Sequence, residues 1–262
     1  METQIKNSKN ENICIKLDIP NIPDKNKLAF ICHGITGYKE QDVILQTILS
    51  LKSQNYTVIS FDCRNSRGKS FNNHQCATLT DFCDDLKTVT DWAKNQSFYT
   101  NSFILAGHSL GVAAVLDYVT KHPDQIDAII SVSGVFSGQD LLNNTQKFAP
   151  EFLNSLQKGG ITRCNGNVEC YLDFSYLENA KQYNFYQSIK KIKEPILLIT
   201  GDKDIASTPD NNQDFFNQIK GYKELHILKN CSHLYETKDN QNDLDSIICS
   251  FISAIKSDNI YK

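Results

Sequence analysis

The chain of 262 residues has no apolar run close to the roughly 18 residues that a membrane span requires. Its opening segment, Met1 to Ile13, is polar and lacks an apolar stretch leading to a cleavage site. No integral membrane segment is expected, and the expected compartment is the cytoplasm. Basic excess is also missing: 27 Lys and Arg stand against 30 Asp and Glu, a net charge of −3, which argues against a nucleic-acid partner. There is no internal repeat and no linker-like stretch. The nine cysteines are odd in number, so they cannot all pair within a monomer, and reduced thiols are expected. Only Cys164 and Cys170 lie near each other, and no second Cys/His pair accompanies them, so no metal site is expected.

What remains is an ordinary globular composition, 40% hydrophobic and 22% charged, in a length that suits about one or two domains. Ile13–Ile19 alternates apolar and polar residues, the pattern of an antiparallel edge strand with one face buried. Continuous apolar runs at Leu28–Cys32, Tyr56–Phe61, Ser102–Ala106, Ala128–Val132 and Pro195–Thr200 suit parallel strands buried on both faces. Glu224–Leu228 alternates more. Helices are predicted at Thr80–Asn95, with a capped start at Thr78-Leu79-Thr80-Asp81, and at Val112–Lys121, stopped by His122-Pro123. Two more are predicted at Asn211–Lys220, stopped by Gly221, and at Asp243–Lys256. Strands alternating with helices make an α/β fold around a mostly parallel sheet. About sixty residues separate the strands near Ser133 and Pro195, far more than a simple crossover needs, so residues 136–192 read as an insertion in a core made of 1–135 and 193–262.

The sharpest chemical signal is Gly107-His108-Ser109-Leu110-Gly111, which follows one predicted strand and opens a helix. A G-x-S-x-G string in that setting is a nucleophile elbow, whose glycines leave room where side chains would collide and whose serine is lifted above the sheet. A serine hydroxyl needs a base, and the base needs an acid to fix its tautomer. Gly201-Asp202-Lys203-Asp204 and Lys229-Asn230-Cys231-Ser232-His233 both follow the carboxyl ends of strands, the edge where open α/β sheets place their sites. His233 is the candidate base; Asp202 and Asp204 compete for the acid. His74 and His122 lack a strand-end position, His226 lies within a strand, and His108 is held inside the elbow. Acyl chemistry further needs backbone N–H donors for a developing oxyanion. Cys32-His33-Gly34-Ile35-Thr36-Gly37 can supply the Ile35 N–H, with Gly34 permitting close approach and His33 bracing the loop. The Leu110 N–H, at the start of the helix, is the second candidate.

With these residues in view the chain resembles the α/β-hydrolase superfamily from about Leu28 to the last helix. The resemblance is carried by His33-Gly34, Asp62-Cys63-Arg64 with Gly68, the elbow at Ser109, Gly201 to Asp204, and His233. It implies that Asp204 is the acid and that residues 136–192 form a lid over the site. The segments His33 to Gly37 and Tyr183 to Ile199, with the modest insertion, are similar to bacterial cinnamoyl/feruloyl esterases and to monoacylglycerol-lipase and serine-aminopeptidase-like hydrolases. Serine at the elbow sets the chain apart from the dehalogenase and epoxide-hydrolase branches, which use aspartate, and from the dienelactone branch, which uses cysteine. The insertion is aromatic-rich, and its aromatics either wall an acyl or aryl site or anchor the insertion to the body. The expected activity is hydrolysis of small-molecule esters with no metal or organic cofactor. Peptidase or amidase, thioesterase or acyltransferase, and a silent binding relative are the competing readings.

Overall fold

Short runs of branched and aromatic residues, each too apolar to leave a face in water, become the central strands of the computed structural model, which describes residues 1–24 and 27–257. They are β3 (Leu28–Cys32), β4 (Thr57–Phe61), β5 (Phe103–His108), β6 (Ile126–Val132) and β9 (Ile196–Gly201), and β10 (Lys223–Leu228) joins them at one edge. With β1 (Glu2–Lys6) and β2 (Asn12–Asp18) they form an eight-stranded sheet in the order β1-β2-β4-β3-β5-β6-β9-β10. The strands from β4 to β10 run parallel, while β1 and β2 are antiparallel. The fold class is thus an α/β-hydrolase sheet, mostly parallel and flanked by helices.

The expectation of an edge strand at Ile13–Ile19 is corrected: β2 is antiparallel, but β1 covers its outer side with register Ile5↔Ile13. The opening residues were too polar to read as a strand because β1 is an exposed edge that buries little of its surface.

Alternate side chains of these strands feed two cores. On one face Phe30, Ile59, Phe103 and Leu105 meet helices α2 (Leu79–Ala93) and α3 (Leu110–Lys121). On the other, Ile31, Val58 and Ile104 meet α1 (Asp42–Ser53) and α8 (Lys238–Ser257). Helix α2 starts with a capping box in which the Thr78 hydroxyl accepts the Asp81 N–H and the Asp81 carboxylate accepts the Thr78 N–H. Helix α7 (Pro209–Gln218) ends before the expected Gly221 stop; that glycine instead lies where a Cβ would come within 2.4 Å of the Lys193 carbonyl. Helix α8 begins five residues earlier than Asp243, at Lys238. Among the described residues no helix is long and apolar enough to cross a membrane.

Between β6 and β9 the chain forms α4 (Gly138–Phe148), α5 (Pro150–Gln157), the hairpin β7 (Ile161–Asn165) and β8 (Val168–Leu172), and α6 (Ser175–Ala180). Polar ties dock this segment to the body. Asn144 Nδ2 donates to the Ala206 carbonyl at 3.1 Å, and Asn179 Nδ2 donates to Thr80 Oγ1 at 3.0 Å.

Candidate active site

Ser109 sits between the end of β5 and the start of α3 with φ 55° and ψ −123°, a backbone conformation that L-residues avoid. Three backbone bonds hold it there, its own N–H to Val132 O at 3.0 Å and the Val112 and Val135 N–H groups to its carbonyl at 3.0 and 3.1 Å. The flanking glycines are required by space. A Cβ on Gly107 would lie 2.7 Å from Val112 N, and one on Gly111 would lie 2.3 Å from the Cys32 carbonyl oxygen.

The carboxyl ends of β9 and β10 bring the other two groups to the same rim. His233 Nε2 is 2.9 Å from Ser109 Oγ, and His233 Nδ1 is 2.8 Å from Asp204 Oδ2. A neutral imidazole with its proton on Nδ1 donates to the carboxylate and accepts from the hydroxyl. Asp204 Oδ1 is fixed in turn by the Ala206 and Ser207 N–H groups, each at 2.9 Å. Burial would raise this carboxyl, but the charge and hydrogen bond of His233 and the Ser207 N–H outweigh it and hold it below its usual range. Asp202 lies elsewhere: its Oδ1 accepts the Cys231 N–H at 3.2 Å, a contact within the loop.

Leu110, Ile35 and Gly34 line the cavity beside Ser109. As the first residue of α3, Leu110 carries an N–H with no partner four residues back in its own helix. A Cβ on Gly34 would meet Ser109 Cβ at 2.8 Å, so glycine lets the loop close on the elbow. The buried His33 ring ties this loop to the sheet, Nδ1 donating to Gly34 O at 2.7 Å and Nε2 accepting the Cys63 N–H at 2.9 Å. Burial lowers its pKa, which keeps the ring neutral as those two roles require.

His108 does more than fill the elbow. Its Nε2 donates to the His233 carbonyl at 2.9 Å, fixing the backbone of that loop, while its Nδ1 is buried with no partner among the described residues. Burial, then the nearby His233 charge, pushes its pKa down to about 3. Two further supports carried no sequence signal. Ser207 Oγ donates to Gly134 O at 2.7 Å, and the buried Tyr235 hydroxyl lies 3.1 Å from Ser133 Oγ and donates to Ile199 O at 3.2 Å. The Cys231 thiol is buried, and burial with the Asp204 and Asp202 charges pushes it up to about 12, so it is no ready thiolate.

A cavity of about 580 Å³ opens over Ser109 and His233. Of the insertion's aromatics, Phe152 and Tyr176 line it. Others pack or dock the insertion: Phe136 stacks on Phe215 with ring centroids 4.0 Å apart, and the Tyr183 hydroxyl is 2.9 Å from Thr80 Oγ1, while Phe148 is exposed. Asp173 accepts from Ser175, and the Tyr171 hydroxyl donates to Gly159 O.

A mostly parallel eight-stranded sheet with a strained serine on the turn after β5 defines an α/β-hydrolase. The chain belongs to the serine aminopeptidase S33 family (Hydrolase_4), whose model matches residues 23–238. Its fold is similar to that of Est1E from Butyrivibrio proteoclasticus solved with ferulic acid bound, at 21% identity and a TM-score of 0.77, covering 97% of this chain and 99% of that one. Alpha/beta hydrolase domain-containing protein 10 from mouse aligns at 18% identity with a TM-score of 0.75, covering 97% and 99%. In sequence the chain is 22% identical to a 31.7 kDa Escherichia coli protein of the traX-finO intergenic region, over 86% of this chain and 90% of that protein.

Proposed function

We propose that the protein is a serine hydrolase that cleaves carboxylic esters of small to medium acyl or aryl groups, with residues 136–192 as the lid over the site. The observation that carries this reading is the unbroken hydrogen-bond chain from Asp204 through His233 to Ser109. In the mechanism, His233 Nε2 takes the Ser109 proton as Oγ attacks the ester carbonyl, and Asp204 stabilises the imidazolium that results. The Ile35 and Leu110 N–H groups receive the oxyanion. Collapse breaks the bond to the alcohol, which leaves with the proton from His233. A water, deprotonated by the same imidazole, then attacks the acyl-serine and releases the acid.

The same groups could act on an amide, and the family description names an aminopeptidase. The cavity argues for esters. An aminopeptidase must hold a free ammonium group, and among the described residues no aspartate or glutamate lines the cavity, whereas Arg67 and Arg163 do. The test is turnover of p-nitrophenyl esters of increasing acyl length beside aminoacyl p-nitroanilides. Wild type is expected to cleave the esters and leave the anilides, and Ser109→Ala to lose about 10⁶-fold in kcat. Anilide turnover above ester turnover would reverse the choice of substrate.

A further inference from the structure

His108 is the last residue of β5, one position before Ser109, and strand alternation puts it in the row of Ile104 and Ala106. That row feeds the core shared with Cys231 and Tyr235, the residues on either side of the His233 turn. The side chain before the nucleophile therefore faces the loop that carries the base. The two imidazoles lie 4.9 Å apart between ring centroids, and His108 Nε2 is 2.9 Å from the His233 carbonyl oxygen. A carbonyl only accepts, so the His108 proton is on Nε2 and Nδ1 carries a lone pair.

His233 has few other ties. Its loop is fixed on both sides: the Cys231 N–H meets Asp202 Oδ1 at 3.2 Å, the Lys203 N–H meets the Cys231 carbonyl at 3.0 Å, and the buried Tyr235 hydroxyl donates to Ile199 O at 3.2 Å. Between these anchors, the bond from His108 is the one hydrogen bond made by the His233 backbone among the described residues. The imidazole borders the cavity with 24% of its side chain exposed, and Asp204 holds its Nδ1. Asp204 sets how the ring turns; His108 sets where the ring starts from.

The other nitrogen of His108 shows which property the position needs. Nδ1 is buried with no partner among the described residues, packed where a Cβ on Gly34 would come within 3.2 Å of it. A buried nitrogen left unpaired destabilises the fold, and an apolar side chain would avoid that penalty. Packing alone therefore does not account for a histidine here, whereas the Nε2 donor does. A proton on Nδ1 would find no acceptor, and burial, then the nearby His233 charge, holds the His108 pKa down at about 3. The ring thus stays neutral and donating while its neighbour gains and loses a proton.

We infer that His108 is a positioning residue for the reaction: its Nε2–H holds the His233 backbone so that the base stays within proton-transfer reach of Ser109 through acylation and deacylation. This rests on the serine-hydrolase reading for the reaction, though not for the tether.

Three variants test it. His108→Leu removes the donor. His108→Gln keeps it, since a glutamine amide nitrogen reaches the place of Nε2, and His108→Asn stays polar but its amide stops at the place of Nδ1. With p-nitrophenyl butyrate, His108→Leu and His108→Asn should lose about 100-fold in kcat with KM changed less than about threefold, and His108→Gln should return to within about tenfold of wild type. Acylation in single turnovers and deacylation should fall together, because one imidazole serves both. In a His233→Gln background, His108→Leu or His108→Asn should add less than about threefold, since the effect runs through that base. Hydrogen-deuterium exchange of the peptide covering 229–237 reads the tether without turnover: faster in His108→Leu and His108→Asn, as in wild type in His108→Gln. Should His108→Leu not fold, the glutamine and asparagine variants carry the comparison. If esters are cleaved and the donor-lacking variants keep wild-type kcat, or glutamine does no better than asparagine, or the full loss recurs in the His233→Gln background, the inference is overturned while the hydrolase reading stands. If no ester is cleaved yet loop exchange follows the donor, the tether stands and the hydrolase reading falls. Loop exchange that ignores the donor shows the tether itself to be wrong.

Discussion

At the scale of single residues, the two aspartates of the β9 loop show how far local pattern reaches. Gly201-Asp202-Lys203-Asp204 offers two carboxylates of equal chemistry, and spacing alone does not choose between them. The fold separates them by hydrogen bonds: Asp204 meets His233 Nδ1, and Asp202 meets the Cys231 N–H. Asp204→Asn should therefore lower kcat by about 10³- to 10⁴-fold through the wrong histidine tautomer, while Asp202→Asn should cost less than about tenfold. Steady-state kinetics on one p-nitrophenyl ester checks both, and the reverse ranking would assign the acid to Asp202. The Asp204 carboxyl is held below its ordinary value of 3.8, so the folded state binds its proton less readily than the unfolded chain. Its contribution to stability is then present above pH 3.8 and lost as pH falls through the folded-state pKa. Thermal melts of wild type should fall more steeply below pH 3.8 than those of Asp204→Asn. Equal slopes would show that the carboxylate gains nothing from its partners.

At the scale of elements, the strand-turn-helix from β5 to α3 puts backbone strain where the chemistry is proposed. Gly111 faces the Cys32 carbonyl so closely that a methyl group has nowhere to go. Gly111→Ala should cost about 2 kcal/mol or more and lower Tm by roughly 4–8 °C, with ester turnover falling as the elbow and the Cys32–His33 backbone are pushed apart. A stable, fully active variant would mean that the close approach is not needed. The capping box of α2 gives the opposite expectation. Thr78→Ala should lose about 1 kcal/mol in denaturant melts with its kcat intact, because the cap stabilises the start of a helix that carries none of the proposed catalytic groups and touches His33 only at Phe82. These elements were legible because their signals are local: a continuous apolar run, a capping pair, a G-x-S-x-G turn. Strand β1 was not legible, since an edge strand has little burial to mark it. Helix α1 went unread because it begins in the turns after the Gly34 loop, and its N-cap residue Gln41 makes no side-chain cap.

Across the whole molecule, the two cores on opposite faces of one sheet were foreseeable from the two kinds of strand pattern, and the size of the insertion from its sixty-residue gap. Its interior was not. Whether Phe152 or Phe136 lines the cavity depends on how α4, α5 and the hairpin pack on the body, and nothing in the local sequence separates the two rings. The same holds for His108, Ser207 and Tyr235, whose contacts join segments between 36 and 125 positions apart. Long-range polar bonds of this kind leave no periodic trace. The central claim is that the fold turns the Ser109 hydroxyl into a nucleophile by placing it against the His233–Asp204 pair. Its most direct measurement is mass-spectrometric mapping of the adduct formed when the folded protein meets a fluorophosphonate. The account predicts one covalent phosphonyl group on the peptide containing Ser109, and none in His233→Gln over the same time. A folded wild-type protein left unmodified, or modified at another residue, would contradict it.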